Sequence, residues 1–158
     1  MHNEIERKFL VRGEFKHLAY EVTHIEQGYF QTAPGRTVRI RIRGEKAYLT
    51  IKGPSVTGLS RYEFETEIPT DDAHQLMSLC MPGQVVKDRY LIQNGKHTIE
   101  VDEFFGDNEG LVMAEIELES EDEEYVRPDF LYKEVTGDYH YYNKYMINHP
   151  YKEWKDEV

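Results

Sequence analysis

Three runs of alternating residues hold the side chains best suited to chemistry in this 158-residue chain. Arg39, Arg41 and Arg43 stand at every second position, as do Glu115 and Glu117 and the series Glu4, Glu6, Lys8. Alternate side chains of a β-strand share a face, so the arginine row would repeat a bidentate anion ligand at steps of about 6.7 Å. Like charges in a row repel, and a fold tolerates them more readily when a bound polyanion or facing carboxylates neutralise them. The paired glutamates are hard oxygen donors, and two such pairs on neighbouring strands would suit Mg²⁺ or Mn²⁺. Lys8 extends the first row, which sets an ammonium beside that metal.

Strands must carry these rows, and a period of two dominates the sequence. Val38, Ile40 and Ile42 oppose the arginines; Ala47, Leu49 and Ile51 oppose Tyr48, Thr50 and Lys52; Tyr62, Phe64, Thr66 and Ile68 oppose Arg61, Glu63, Glu65 and Glu67. The alternation recurs over 4–11, 87–93, 97–104 and 112–119, and 25–31 completes eight expected strands. Short turn signals at Gly44-Glu45-Lys46 and Asn94-Gly95-Lys96 imply antiparallel hairpins. Eight such strands in a short chain suggest closure, which removes exposed edges. The expected fold class is mainly β (α+β), a closed eight-stranded antiparallel β-barrel with a few flanking helices. Helix is expected from Thr70 as N-cap to about Met81, ahead of Pro82-Gly83, and Pro128 to Lys133 and Asp138 to Asn148 are two further candidates.

An ordinary barrel turns its apolar rows inward and its charged rows to water. The reverse arrangement makes a polar tunnel able to hold a chain of phosphates, and the repetition of one anion-binding residue type favours it. Net charge is −11, from 30 acidic and 19 basic residues, which speaks against nucleic acid or an anionic membrane as partner. That average conceals a segregation: residues 36–61 hold seven Lys or Arg and one acid, and residues 97–126 hold twelve Asp or Glu and no Lys or Arg. No apolar run approaches the roughly 20 residues of a membrane helix, and the charged start does not read as a signal peptide. A cytoplasmic protein of one domain, spanning 1–158, is the expectation, and a homodimer is left open. The seven His lack metal-ligand spacing, and Cys80 reads as a core filler. Tyr139, Tyr141, Tyr142 and Tyr145 are expected to pack a C-terminal helix against the barrel and close one tunnel mouth.

Glu4-Ile5-Glu6-Arg7-Lys8 has the form E-x-E-x-K, a signature of the CYTH superfamily, also called triphosphate tunnel metalloenzymes. Gln27-Gly28-Tyr29, Val38-Arg39-Ile40-Arg41, Thr50-Ile51-Lys52-Gly53, Arg61-Tyr62-Glu63-Phe64-Glu65, Lys87-Asp88-Arg89-Tyr90, Glu100-Val101-Asp102, Glu115-Ile116-Glu117-Leu118 and Glu134-Val135-Thr136 follow in that superfamily's order. The resemblance spans nearly the whole chain and is nearest the short bacterial inorganic triphosphatase-like branch. It implies a tunnel barrel, dependence on a divalent metal and a triphosphate substrate. It also implies that Glu4, Glu6, Glu115 and Glu117 bind metal. Lys8, Arg39, Arg41, Arg43, Lys52, Arg61, Lys87 and Arg89 would form the triphosphate cradle. Glu63 and Glu65 would support the site from behind or hold a second metal.

The expected reaction is metal-dependent hydrolysis of the terminal phosphate of a triphosphate, foremost inorganic tripolyphosphate. Two candidates stand for the general base: Tyr29, with its hydroxyl tuned by the Lys8 ammonium and the metal, and a metal-bound hydroxide. Rival readings within the superfamily are a nucleoside or thiamine triphosphatase and an adenylate cyclase. A non-catalytic polyphosphate- or nucleotide-binding module is the rival from another class, and it would not need the paired metal carboxylates.

Overall fold

The computed structural model describes residues 5–55 and 61–157, and within them each alternating segment becomes a strand. These are β1 (Ile5–Val11), β2 (Ala19–Tyr29), β3 (Thr37–Arg43), β4 (Lys46–Ser55), β5 (Arg61–Ile68), β6 (Val85–Asn94), β7 (His97–Phe105) and β8 (Val112–Leu118). A ninth, β9 (Leu131–Glu134), joins them, and the hydrogen-bonded order is β5-β4-β3-β2-β6-β7-β8-β1-β9, antiparallel throughout. The mainly β, antiparallel architecture is the one expected. The strand count is nine, and the order runs between two ends, β5 and β9, with no ladder joining them among the described residues. No helix of the described residues is long and apolar enough to cross a membrane.

β9 replaces the helix expected over Pro128 to Lys133. The second edge of β1 offers free backbone groups, and strand pairing there outweighs local helix preference: Val135 N–H donates to the Lys8 carbonyl at 2.8 Å and Arg12 N–H to the Phe130 carbonyl at 2.9 Å. The first helix, α1 (Thr70–Met77), starts one residue after its N-cap Pro69 and stops four residues short of the expected end. Beyond it the backbone is drawn to the sheet, where Met81 N–H donates to the Tyr29 carbonyl at 2.8 Å. The stretch Asp138 to Asn148 is broken at Tyr142, whose backbone is extended, leaving a 3₁₀ turn at Tyr139–Tyr141 and α2 (Asn143–Asn148), followed by α3 (Tyr151–Trp154).

Apolar rows lie on the convex side of the sheet, and two parts of it are covered, while Val22, Ile51, Tyr62 and Phe64 stay exposed. Ile40, Ile42 and Ala47 pack beneath Ala73 and Met77 of α1. Phe9, Ile99, Val101, Ala114, Ile116 and Leu118 pack with Phe15, Phe130 and Leu131. Gly28 of β2 belongs to this convex side, and a Cβ there would stand 2.9 Å from both Cys80 Cβ and Met77 Sδ, so only glycine lets the strand meet the segment after α1. A third cluster lies inside: Val85, Phe104 and Met113, on the same strand faces as Lys87, Asp102 and Glu115, are covered by Tyr141, Met146 and Trp154. Of the four tyrosines expected to pack here, Tyr141 is buried in this cluster and Tyr145 packs against it, while Tyr139 and Tyr142 stay exposed.

Ile40 is fully buried beneath α1. Ile40→Ala is expected to cost about 2–5 kcal/mol in denaturant unfolding with a near-normal m-value. A loss below about 1 kcal/mol would mean that the convex row is not a packed core.

Candidate active site

The concave face collects the charged rows. β2 and β3 pair Gln27 with Arg41 and Tyr29 with Arg39; β6 and β7 pair Arg89 with Asp102; β7 and β8 pair Glu100 with Glu115; β1 and β8 pair Lys8 with Glu115 and Glu6 with Glu117. A cavity of about 280 Å³ opens there, with Gln27, Arg41, Arg43, Lys87, Arg89 and Glu100 among its lining. A second cavity, of about 460 Å³, includes Tyr29, Arg36, Arg39 and Lys52. The eight expected cradle cations thus divide. Arg41, Arg43, Lys87 and Arg89 share the first cavity and Arg39 and Lys52 the second, while Lys8 stands on β1. The Arg61 side chain lies outside the described residues.

Four of these cations, Arg39, Arg41, Lys87 and Arg89, are held by neutral or acidic partners that aim them. The buried Asp102 accepts Arg89 through both oxygens, at 2.8 and 2.9 Å, and also the Lys87 ammonium at 2.9 Å. Burial alone would raise the Asp102 carboxyl, but hydrogen bonds from Arg89 and the charge of Lys87 prevail and hold it below its ordinary value. Arg41 Nε donates to Gln27 Oε1 at 3.0 Å, and Arg39 donates to Thr50 Oγ1 at 3.3 Å. Thr50 in turn donates to Glu65 at 2.8 Å.

Two observations mark this face as deficient in negative charge. Burial first, and then the charge of Arg39, push Arg41 below its ordinary value. Arg39 Nε is buried with no hydrogen-bond partner, an arrangement that costs about 1–3 kcal/mol unless an acceptor arrives. An anion would relieve both. Glu63 and Glu65 stand beside cations, Glu63 at 4.0 Å from Lys52 and Glu65 at 3.6 Å from Arg39, and both carboxylates are half-exposed.

The acidic side gathers on β1, β7 and β8. Glu6 faces Glu117 across one pair and Glu115 faces Glu100 across the next, although like charges directly opposite are destabilising. Burial first, then the negative charge of Glu115, push the Glu6 carboxyl up. Glu4, the fourth expected ligand, lies outside the described residues. Among those described, no three His, Cys, Asp or Glu side chains already converge on one point.

The expected Lys8–Tyr29 pair does not form. The Lys8 ammonium donates to the Tyr141 carbonyl at 3.4 Å, lies 3.4 Å from Glu115 and sits 4.3 Å from the centre of the Tyr142 ring. The Tyr29 hydroxyl instead accepts from Gln27 Nε2 at 3.3 Å. β8, β7 and β6 separate β1 from β2 in the sheet order, and no periodicity within one strand reports which residues meet across such a distance.

Comparison with known proteins follows the same lines as the geometry. The family model described as CYTH domain matches residues 2–150. The chain belongs to the CYTH family. It is 46% identical over 158 residues to an inorganic triphosphatase of Acetivibrio thermocellus, covering 99% of this chain and 100% of that one. It is 35% identical over 149 residues to an inorganic triphosphatase of Nitrosomonas europaea, covering 89% of this chain and 94% of that one. Among solved structures, that of the inorganic triphosphatase NE1496 superposes with a TM-score of 0.81 at 29% identity, covering 95% of this chain and 98% of that one.

As a CYTH domain the chain stands among proteins that work with a divalent metal, and its acidic residues fit such an ion. All of them are oxygen donors, two pairs oppose each other with like charge, and Glu6 is raised in the way a bound cation would reverse. Sequence reasoning left Gln27, Thr50, Glu100 and Asp102 out of the site. Glu100 and Asp102 were detectable, since they alternate on one strand in line with Lys87 and Arg89 of the neighbouring one. Glu134-Val135-Thr136 proves to be a clamp on β1: Glu134 accepts Arg7 through both oxygens, and Thr136 Oγ1 accepts from Lys8 N–H at 2.8 Å.

The clamp gives a pH test. Hydrogen bonds from Arg7 hold the Glu134 carboxyl down at about 2, against an ordinary 4.5. A depressed carboxyl stabilises the fold above its unfolded value and loses that contribution as pH falls toward its folded value. Glu134→Gln is therefore expected to lower Tm at pH 7 and to unfold like the wild type near pH 2. An equal Tm at pH 7 would remove the clamp from the account.

Proposed function

We propose that this CYTH domain, acting as a single unit over 1–158, is an inorganic triphosphatase that removes the terminal phosphate of tripolyphosphate with Mg²⁺, or Mn²⁺ in its place. One observation carries the reading: the sheet that carries a row of cations, with Arg39 Nε buried and unpartnered and Arg41 pushed down, also carries opposed carboxylate pairs on β1, β7 and β8. The fit to a polyanion accompanied by a hard divalent ion is direct. Relatives named inorganic triphosphatase, at 46% and 35% identity, support the same substrate.

In this reading Arg39, Arg41, Arg43, Lys52, Lys87 and Arg89 bind the phosphate chain and hold its bridging oxygens in line with an attacking water. Arg61, whose side chain lies outside the described residues, would join them as the motif order implies. Glu4, Glu6, Glu115 and Glu117 would hold the ion, which when bound neutralises charge on the phosphate oxygens. Lys8, fixed beside Glu115, lies where the cationic and acidic sides meet. Glu63 and Glu65 restrain Lys52 and Arg39. Tyr29, beside Arg39 and Lys52, contacts the chain and has no Lys8 partner to make it a base.

The water oxygen bonds to the terminal phosphorus as the bridging P–O bond breaks. The electron pair of that bond leaves on pyrophosphate. One water proton stays on orthophosphate and the other is released to solvent.

Phosphate release from tripolyphosphate, pyrophosphate, ATP and thiamine triphosphate, each with Mg²⁺ and with EDTA, tests the proposal. Tripolyphosphate with Mg²⁺ is expected to be cleaved fastest, and EDTA to stop it. Preference for an organic triphosphate would transfer the reading to the rival triphosphatases, and tight binding without release would transfer it to a binding module.

A further inference from the structure

One side chain lining the first cavity comes from outside the sheet. Glu21, Thr23, Ile25 and Gln27 belong to β2, Arg41 and Arg43 to β3, Lys87, Arg89 and Leu91 to β6 and Glu100 to β7, whereas Asn143 is the first residue of α2. No motif in the sequence singled it out. Its position is fixed by its neighbours: the Tyr141 carbonyl and the Tyr142 ring both hold the Lys8 ammonium. Three residues on, Met146 is fully buried against Val85, Phe104 and Met113. The amide therefore projects over the cationic cavity from a braced backbone.

Neither end of that amide is in use. Asn143 makes no side-chain hydrogen bond among the described residues, and its Oδ1 is buried without a partner. Four lining groups, Arg41, Arg43, Lys87 and Arg89, are donors that cannot accept from its NH₂. Of the lining acceptors, Gln27 Oε1 is already taken by Arg41 and Glu100 by Arg89 at 3.3 Å, and neither Glu21 nor Thr23 bonds the amide. A group rich in acceptors, entering among four cations, is what the free NH₂ lacks. Phosphate oxygens are such a group.

We propose that Asn143 is a substrate-binding residue, its amide donating to a phosphate oxygen of the polyphosphate held by Arg41, Arg43, Lys87 and Arg89. This rests on the triphosphatase reading for its ligand. It adds a neutral contact supplied by the C-terminal segment, so that substrate is gripped from α2 as well as from the sheet. An amide there adds no charge to the cradle, while a carboxylate of the same shape would repel the phosphate chain.

The test compares wild type, Asn143→Ala and Asn143→Asp by steady-state kinetics on tripolyphosphate with Mg²⁺ and by the thermal shift that tripolyphosphate induces. Asn143→Ala is expected to raise KM about tenfold with kcat within threefold, the scale of one hydrogen bond to a charged acceptor. Asn143→Asp, which keeps the volume, is expected to raise KM at least tenfold further and to lose most of the ligand-induced shift while its ligand-free Tm stays near the wild-type value. If the alanine variant does not fold, the aspartate variant decides alone. KM and thermal shift within twofold of wild type in Asn143→Asp would overturn the contact. A wild type that does not cleave tripolyphosphate would overturn the triphosphatase reading, and the thermal shift would still judge Asn143.

Discussion

Glu117→Gln is expected to reduce turnover of tripolyphosphate by at least about 10³-fold while leaving the folded protein as stable as the wild type or more so. Glu117 stands directly opposite Glu6 across the β1–β8 pair, and neutralising one of two facing like charges removes a repulsion. The amide keeps the volume but replaces an anionic oxygen ligand with a weak neutral one. A loss of about 4 kcal/mol of transition-state stabilisation, within the several kcal/mol a divalent ion supplies, corresponds to that factor. The variant's kcat should recover in part as Mg²⁺ is raised. Turnover within tenfold of wild type at ordinary Mg²⁺, or a steep fall in Tm, would return Glu117 to a solvated or structural role.

Asp102→Ala should produce the largest loss of stability at the site, about 3–5 kcal/mol, because it leaves the buried Lys87 ammonium and the Arg89 guanidinium without their common carboxylate. A merely structural carboxylate would give the same loss whether or not ligand is present. Here the cations it aims are also the proposed phosphate ligands, so tripolyphosphate should restore part of the missing negative charge and raise Tm more in Asp102→Ala than in the wild type. Turnover should fall even when the variant is saturated, since Lys87 and Arg89 are no longer held in one geometry. Equal thermal shifts in the two proteins would separate Asp102 from the phosphate site.

Most of the architecture was legible because alternation of side chains is a local property. Arg39, Arg41 and Arg43 against Val38, Ile40 and Ile42 define a strand and its two faces without reference to any other part of the chain. The hairpins at Gly44 and Gly95 were equally local, as both glycines take the positive φ that the turn requires, 61° and 64°. β9 was not legible, because Leu131-Tyr132-Lys133-Glu134 is extended only by virtue of the edge that β1 offers it.

The site divides in the same way. The cationic and acidic rows follow from periodicity, whereas partnerships across the concave face do not. Nothing near Lys8 in the sequence announces Tyr141 and Tyr142, more than 130 residues away, as the groups that hold its ammonium. Nothing near Tyr29 announces that Gln27 will take its hydroxyl. Asp102 was visible as a charge on a strand, but its part as the hub of Lys87 and Arg89 depends on the register of β6 against β7.

The most direct test of the central claim, that the concave cradle brings water to the terminal phosphorus of tripolyphosphate, is ³¹P NMR of the products formed in H₂¹⁸O with Mg²⁺. Attack at the terminal phosphorus predicts orthophosphate carrying one solvent oxygen and pyrophosphate carrying none. Label in the pyrophosphate would place the attack at the central phosphorus, and no cleavage under these conditions would contradict the enzymatic reading altogether.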